Sequence, residues 1–220
     1  NSQIDYTTPS IAKILTDNGY ATAAFGKWHN TPMEEASPAG PFESWPTGIW
    51  GFEYFWGFLG GETNQFHPLL YENTTAIDTP ETNTDGSEFH ISQGMADQAI
   101  KWLDNWKGLR DAPFFMYYTP GAVHAPIQVP KEWRDKYKGQ FDDGWHAYRA
   151  QQLERQKKLG LVPKDAKMVD WPEVLPKWDS FSEEGKRYLS RQMEVNAAFL
   201  EHVDYHIGRV IDHIEEMGEL

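Results

Sequence analysis

Two short polar segments carry the residues whose types and spacing suit chemistry. Lys27 and His29 stand two residues apart in Gly-Lys-Trp-His, and His124 lies in a segment rich in Gly and Pro. A lysine ammonium is a compact positive charge with three donors, and a histidine can donate a hydrogen bond or move a proton near neutral pH. A fixed ammonium beside an imidazole therefore suits a tetrahedral oxyanion. Taken alone, each segment is more typical of a surface pair or a satisfied loop histidine.

Both segments follow apolar runs that are typical of buried strands. Residues 20–25 are small and apolar, and residues 113–118 are almost continuously apolar; runs of this kind indicate strands covered on both faces. Residues at i and i+2 that leave a strand can point to the same side. Lys27 and His29 are thus predicted to face one pocket, with Trp28 turned into the core.

Apolar periodicity predicts helices beside these strands. Helices are expected over residues 9–18, 87–106 and 143–159, with one or two more over residues 182–217. The first would begin at Thr8 and Pro9 and bury Ile11, Ile14 and Leu15. This alternation predicts an α/β fold with a largely parallel sheet flanked by helices. Sites in such sheets form at the carboxyl ends of strands, where both histidine segments fall.

Regular periodicity disappears between residues 30 and 80, where Gly, Pro and aromatic residues crowd together. Structureless stretches of this length are usually functional loops. The aromatic residues between Trp45 and Phe58 either shape a pocket for an aryl group or form core. Glu62, Asn64 and Gln65 in the same stretch are candidate substrate contacts.

Composition excludes several classes of function. The 20 Lys and Arg against 33 Asp and Glu give a net charge of −13, and no basic patch suits nucleic acid. There is no cysteine for a disulfide or thiolate chemistry, and no apolar run long enough to span a bilayer. Both termini look cut from a longer polypeptide. Compartment (bacterial cytoplasm or periplasm) and oligomeric state stay open.

The two segments together resemble the sulfatase family of the alkaline phosphatase superfamily. Gly26-Lys27-Trp28-His29 is similar to that family's Gly-Lys-Trp-His signature, and residues 113–130 resemble its strand and His-x-Pro loop. Residues 18–22 resemble the family's approach to the strand before that signature, and the large bacterial arylsulfatase branch is resembled by residues 30–32, 40–42, 45–48, 57–63 and 199–209. The resemblance covers nearly all of the chain and implies that residues 1–220 are part of a sulfatase catalytic domain.

The resemblance also implies roles for individual residues. Lys27 would contact the substrate sulfate and a formylglycine nucleophile, and His29 would take a proton from the sulfated hydrate so that sulfate is expelled. His124 would protonate or stabilise the leaving alcohol or phenol, as a general acid does. Lys27, His29 and His124 are thus the expected catalytic residues. Lys27, His124, Glu62 and Asn64 are the expected contacts of a small-molecule sulfate ester.

The chain departs from the family in what it lacks. The family makes formylglycine from a Cys (or Ser) in Cys-x-Pro-Ser-Arg, and no such motif occurs here. The family holds Ca²⁺ with paired Asp residues near its N-terminus and an Asp-Asn-Gly segment just beyond the terminal helix, and this chain contains neither. Asp142-Asp143 lies in a helical stretch and is interpreted as surface. Formylglycine and Ca²⁺ are therefore expected outside this chain, which would be an internal piece of a sulfatase and inactive alone.

Two other functional hypotheses remain. The chain could be a non-catalytic anion-binding fragment or pseudoenzyme, or part of a phosphodiesterase or phosphonate hydrolase of the same superfamily. The complete Gly-Lys-Trp-His and the long matching loops favour sulfate esters. His202, His206 and His213 lie on the terminal predicted helix, and a His pair at i, i+4 could bind metal. A structural role is favoured because the Glu of a metalloprotease motif is missing, so no metal ligand is predicted in this chain.

Overall fold

The computed structural model describes residues 4–109 and 111–220 and divides the chain into two compact units. The first unit is Asn1–Pro130 with Phe199–Leu220, and the second is Lys131–Ala198. The assignment of residues 1–220 to one partial catalytic domain stays a prediction.

The first unit is built on a five-stranded sheet. Its strands are β1 (Ala21–Lys27), β2 (Tyr54–Phe58), β3 (Leu70–Glu72), β4 (Thr75–Ile77) and β5 (Phe114–Thr119). The order is β4-β3-β2-β1-β5, in which β1 is parallel to both β2 and β5 while β3 and β4 pair antiparallel. The predicted α/β fold with helices around a sheet is confirmed. The sheet is mixed, with its parallel part at β1 and its neighbours.

The stretch from residue 30 to residue 80 contains three strands, so the prediction of a long structureless loop is wrong. β2 consists of aromatic residues and Gly57, and both β3 and β4 have only three residues. Elements this short show no period that a sequence pattern could reveal. The long connection therefore contributes β2, which pairs directly with β1.

The first helix, α1 (Ile11–Asp17), begins later than predicted and buries a different side. Ser10 is its N-cap, because the Ser10 hydroxyl accepts a hydrogen bond from the Lys13 N–H at 2.9 Å. Ile11 and Ile14 are 62% and 49% exposed, while Ala12 is fully buried. The predicted apolar face of Ile11 and Ile14 is wrong, since α1 packs through its smallest side chain.

The long helices follow the predicted periodicity. α2 (Ile91–Leu109) starts four residues after its predicted beginning, because the Asp85 side chain accepts the Ser87 N–H at 3.0 Å in a preceding turn. α5 (Glu183–Glu216) is a single helix of 34 residues, about 50 Å long at ~1.5 Å per residue. No helix in the described parts of the chain is long and apolar enough to cross a membrane.

The two faces of the sheet carry separate cores, because successive side chains of a strand point to opposite faces. On one face Phe25 and Trp56 pack with Met95 and Leu103 of α2. The other face joins Ala24 to the aromatic cluster of residues Trp28, Trp45, Trp50, Phe52 and Phe55. The cluster between Trp45 and Phe58 is therefore core, the second of the two alternatives.

The second unit contains α3 (Lys131–Arg134), α4 (Gly144–Leu159) and the first part of α5. The predicted helix at residues 143–159 is confirmed. Arg191 ties the unit together by donating to Asp135 Oδ1 and to Glu194 Oε2, both at 2.6 Å. The hydrogen bond that Arg191 donates to Asp135 is the largest cause of the lowered pKa of the Asp135 carboxyl. Asp142 and Asp143 are exposed, as predicted.

Candidate functional site

Three loops of the first unit leave the same edge of the sheet. β1, β2 and β5 are parallel, so their carboxyl ends lie together, and β1 and β2 end in register at Lys27 and Phe58. His29 follows β1, Glu62 follows β2, and His124 follows β5. The strands that precede the two histidine segments, β1 and β5, are thus parallel neighbours.

Backbone hydrogen bonds just beyond the end of β1 fix the orientation of Trp28 and His29. The Trp28 N–H donates to the Phe58 carbonyl at 3.0 Å, and the His29 N–H donates to the Leu59 carbonyl at 3.1 Å. These bonds prolong the pairing with β2 beyond the strand. Trp28 is 7% exposed and packs edge-to-face on Phe52, so its predicted place in the core is confirmed. His29 has a φ of +56°, a left-handed conformation that the surrounding bonds must stabilise.

The side chain of Thr119, the last residue of β5, forms hydrogen bonds with the end of β1. Its hydroxyl oxygen lies 2.9 Å from the Lys27 carbonyl and 3.1 Å from the Phe25 carbonyl. Between these two carbonyls Gly26 takes a φ of +98°, which L side chains rarely adopt. The backbone that presents Lys27 is thus held from both neighbouring strands.

His29 lies among positive charges and is neutral at pH 7. Partial burial lowers the pKa of its imidazole, and the charges of Lys27 and His124 lower this pKa further. Gly61 leaves room for the ring, because a Cβ there would lie 2.8 Å from Nε2 of His29. A neutral imidazole beside an ammonium can accept a proton while the ammonium holds an anion.

His124 is oriented by its own loop and by Glu62. Its Nδ1 is 2.9 Å from the Ala125 carbonyl and 3.5 Å from Glu62 Oε2. Because both partners are acceptors, Nδ1 carries a proton, and Nε2 is the atom that can exchange one with a ligand. The side chains of His124 and Glu62 are 50% and 63% exposed, so their contact contributes little stability and serves mainly to set orientation.

Of the other expected contacts, Asn64 is exposed and Gln65 is not. The Asn64 Oδ1 accepts the N–H groups of Phe66 and His67, each at 2.9 Å, and so shapes the turn after β2. Gln65 is 1% exposed, and its N–H donates to Gln128 Oε1 at 2.8 Å. The expectation that Gln65 contacts substrate is wrong because its side chain is buried. The structure thus brings together Lys27, His29, Glu62 and His124, whose roles stay predictions.

Two of the three histidines of α5, His202 and His206, form a buried hydrogen-bonded pair. Arg209 donates to Asp97 Oδ1 at 2.7 Å and to His206 Nδ1 at 3.0 Å. His206 therefore carries its proton on Nε2, which lies 3.1 Å from the Nε2 of His202. His90 packs edge-to-face on His202, with ring centroids 4.4 Å apart.

The described residues do not offer a cation site. His213 contacts Asp104 at 2.9 Å rather than the other histidines of its helix. Across residues 4–109 and 111–220 there is no group of three or more His, Cys, Asp or Glu side chains placed to hold a metal ion. The Ca²⁺ that the family resemblance implies thus has no fitting ligand set within these residues.

The buried histidines make a prediction for stability against pH. Burial is the main cause that lowers the pKa of His90 and of His206 to about 4 from an ordinary 6.5; Arg209 lowers that of His206 further, and Asp97 opposes this. Because the folded pKa is depressed, the unfolded chain binds more protons below pH 6.5. Folding stability should be full above pH 6.5 and fall towards pH 4, by roughly 3 kcal/mol per histidine.

Urea unfolding of the chain followed by tryptophan fluorescence between pH 7.5 and 4.5 measures this loss. His206→Gln should weaken the pH dependence by about one proton, whereas His67→Gln, at an exposed position, should leave it unchanged. Equal pH dependence in wild type and His206→Gln would contradict the prediction.

Comparison with known proteins places these features in a family context. The family model described as Sulfatase matches residues 1–220. The chain is 34% identical to an uncharacterized sulfatase of Schizosaccharomyces pombe over 96% of its own length and 38% of the relative's. It is 26% identical to an arylsulfatase of Klebsiella aerogenes over 95% of its length and 44% of the relative's. The chain thus spans about two fifths of these relatives.

Solved structures share the fold. A Bacteroides thetaiotaomicron structure from work on glycosaminoglycan metabolism superposes with a TM-score of 0.62 at 17% identity, covering 99% of this chain and 40% of that one. A protein solved in complex with its substrate D-glucosamine-2-N,6-O-disulfate gives 0.52 at 18% identity, covering 100% and 49%. At this level of identity, the likeness concerns the fold alone.

Proposed function

Because this chain belongs to the sulfatase family, we propose that it is part of a hydrolase that cleaves sulfate esters into an alcohol or phenol and sulfate. The observation that carries the proposal is that the segments of Lys27 with His29, of Glu62 and of His124 follow three adjacent parallel strands at one edge of the sheet, where His124 Nδ1 lies 3.5 Å from Glu62 Oε2. A tetrahedral sulfate needs such a set of donors around its oxygens.

Lys27 and His29 act on the sulfate side of the ester. The Lys27 ammonium, carried on a backbone held by β2 and Thr119, binds a sulfate oxygen and stabilises negative charge that grows during the reaction. The neutral His29 imidazole accepts a proton at the reacting centre. Burial and the neighbouring charges keep the pKa of His29 low, which keeps this base available at pH 7.

His124 acts on the other side of the scissile bond. As the S–O bond breaks, Nε2 of His124 donates a proton to the leaving oxygen, so the alcohol departs neutral. The contacts of Nδ1 with Glu62 and the Ala125 carbonyl hold the ring in that orientation. Glu62 and Asn64, both exposed on the loop after β2, contact the alcohol part of the substrate.

The nucleophile and the cation lie outside this chain in the proposal. The sequence contains no Cys-x-Pro-Ser-Arg motif, with Cys or with Ser at its first position, from which formylglycine could form, and the described residues hold no fitting set of metal ligands. We place formylglycine and Ca²⁺ in further segments of a longer polypeptide, in keeping with the two fifths of its relatives that this chain spans. Its residues bind and orient the ester and move protons.

The test compares the longer polypeptide with the isolated chain. Both are incubated with Ca²⁺ and 4-nitrophenyl sulfate, and in parallel with bis(4-nitrophenyl) phosphate. The longer polypeptide should hydrolyse the sulfate, whereas residues 1–220 alone should show no turnover. Metal-ion stabilisation alone contributes several kcal/mol, and each ~1.4 kcal/mol is a factor of ten in rate.

Two outcomes would contradict the proposal. Turnover by the isolated chain within tenfold of the longer polypeptide would show that the missing segments are dispensable. A longer polypeptide that prefers the phosphodiester would instead support the phosphodiesterase alternative.

A further inference from the structure

A closed ring of hydrogen bonds lies behind the loops of the candidate site. The Gln65 N–H donates to Gln128 Oε1 at 2.8 Å, and the Ile91 N–H donates to the Gln65 carbonyl at 2.9 Å. His90 Nε2 lies 3.1 Å from the Gln128 carbonyl. The ring thus joins the loop after β2, the start of α2 and the loop after β5.

Hydrogen bonds and packing hold the His90 side chain of this hydrogen-bonded ring in place. Its Nδ1 accepts the Ser92 N–H at 3.2 Å, so its Nε2 carries the proton and donates to the Gln128 carbonyl. The imidazole is fully buried and packs edge-to-face on the rings of Phe66, Phe199 and His202. The neutral His90 imidazole is therefore held in one orientation, with Nε2 as its one N–H donor.

The ring reaches the candidate site through short stretches of chain. Gln65 stands three residues after Glu62, and Gln128 stands four residues after His124 with Pro126 between them. Proline restricts the backbone of that stretch. Glu62 and His124 are themselves exposed and only 3.5 Å apart at the nearest oxygen and nitrogen, a contact too weak to hold two loops alone.

We propose that His90, acting through Gln128 and Gln65, is a positioning residue that holds the Glu62 loop and the His124 loop together at the sheet edge. Its catalytic consequence rests on the proposed function. If His124 protonates the leaving oxygen, breaking these hydrogen bonds lowers kcat/KM most for esters of weakly acidic alcohols, because an acidic phenol departs without a proton.

The test uses two matched pairs of variants in the longer polypeptide. His90→Gln keeps an N–H donor near the position of Nε2, whereas His90→Phe keeps a buried ring and removes the donor. Gln128→Glu keeps the acceptor for the Gln65 N–H, whereas Gln128→Leu removes it. Because the Gln128 side chain is only half-buried, the second pair still tests the inference if His90→Phe does not fold.

Two readouts separate positioning from general stability. For His90→Phe and Gln128→Leu, kcat/KM should fall at least tenfold more for phenyl sulfate than for 4-nitrophenyl sulfate, with wild-type ratios in His90→Gln and Gln128→Glu. Hydrogen exchange at the Gln65 amide should accelerate at least tenfold in the same two variants. Exchange at Ala24, in the centre of β1, should not change.

Equal losses for both esters, or an unchanged Gln65 amide, would overturn the inference, because a loss of folded protein lowers both rates alike. If the wild-type polypeptide hydrolyses no sulfate ester, the proposed function fails. Exchange at Gln65 then decides the inference on its own.

Discussion

Lys27→Ala in the longer polypeptide is expected to lower kcat/KM for an aryl sulfate by roughly 10³-fold, with little change in folding stability. Removal of one preorganised donor from developing negative charge typically costs about 3–4 kcal/mol of transition-state stabilisation. Lys27 ends β1 with a partly exposed side chain, while the preceding strand residues are buried. Its truncation therefore leaves the core intact.

The comparison variants for this prediction are Lys27→Arg and Lys101→Ala. Arginine keeps the charge but replaces a compact ammonium by a broad planar fork, so intermediate activity is expected. Lys101 is exposed on α2, and its loss should change neither activity nor stability. Steady-state kinetics with 4-nitrophenyl sulfate and a urea unfolding curve for each variant measure the two effects. Unchanged kcat/KM in Lys27→Ala would remove Lys27 from the site.

Two of the three parallel strands could be predicted from the sequence because each is an almost continuous apolar run. β1 and β5 have this property, and both were placed within two residues of their observed ends. β2 was not predicted because it is a short run of aromatic residues interrupted by Gly57 and lies among turns. The face that α1 buries depends on its docking against the sheet, which Ile11 and Ile14 do not reveal.

Part of the candidate site could likewise be predicted from local sequence, whereas its contacts between distant segments could not. Lys27, His29 and His124 could be proposed from the sequence because each follows a predicted strand within six residues. The contact between Glu62 and His124 was not, since it requires β2 to lie beside β1 and β5 on the other side. His90 lies outside the segments that resemble the family, and Gln128 lies in the segment of residues 113–130 without a role predicted for it; their hydrogen bond between distant segments appears only in the structure.

Gly26 shows how close packing and backbone conformation constrain the residue that precedes the site lysine. Its φ is +98°, and a Cβ there would lie 2.6 Å from Met95 Sδ and even closer to the Thr119 carbonyl oxygen. Gly57, its partner in β2, is restricted by close packing alone, because its Cβ would overlap the Gly26 carbonyl oxygen. The carbonyl groups cannot move without loss of strand pairing, so the two glycines leave no room for a methyl group.

Gly26→Ala should therefore destabilise the chain by ~4 kcal/mol or more, as steric overlap adds to backbone strain. Gly19→Ala is the matched control, since Gly19 has a φ of +88° but nothing within 4 Å of its Cβ position; it should cost only ~1 kcal/mol. Gly108→Ala, in α2 with equally open space, should stabilise by up to ~1 kcal/mol. Urea unfolding of the three variants gives the ranking, and a Gly26→Ala chain as stable as Gly19→Ala would show that β1 and β5 are not packed this closely.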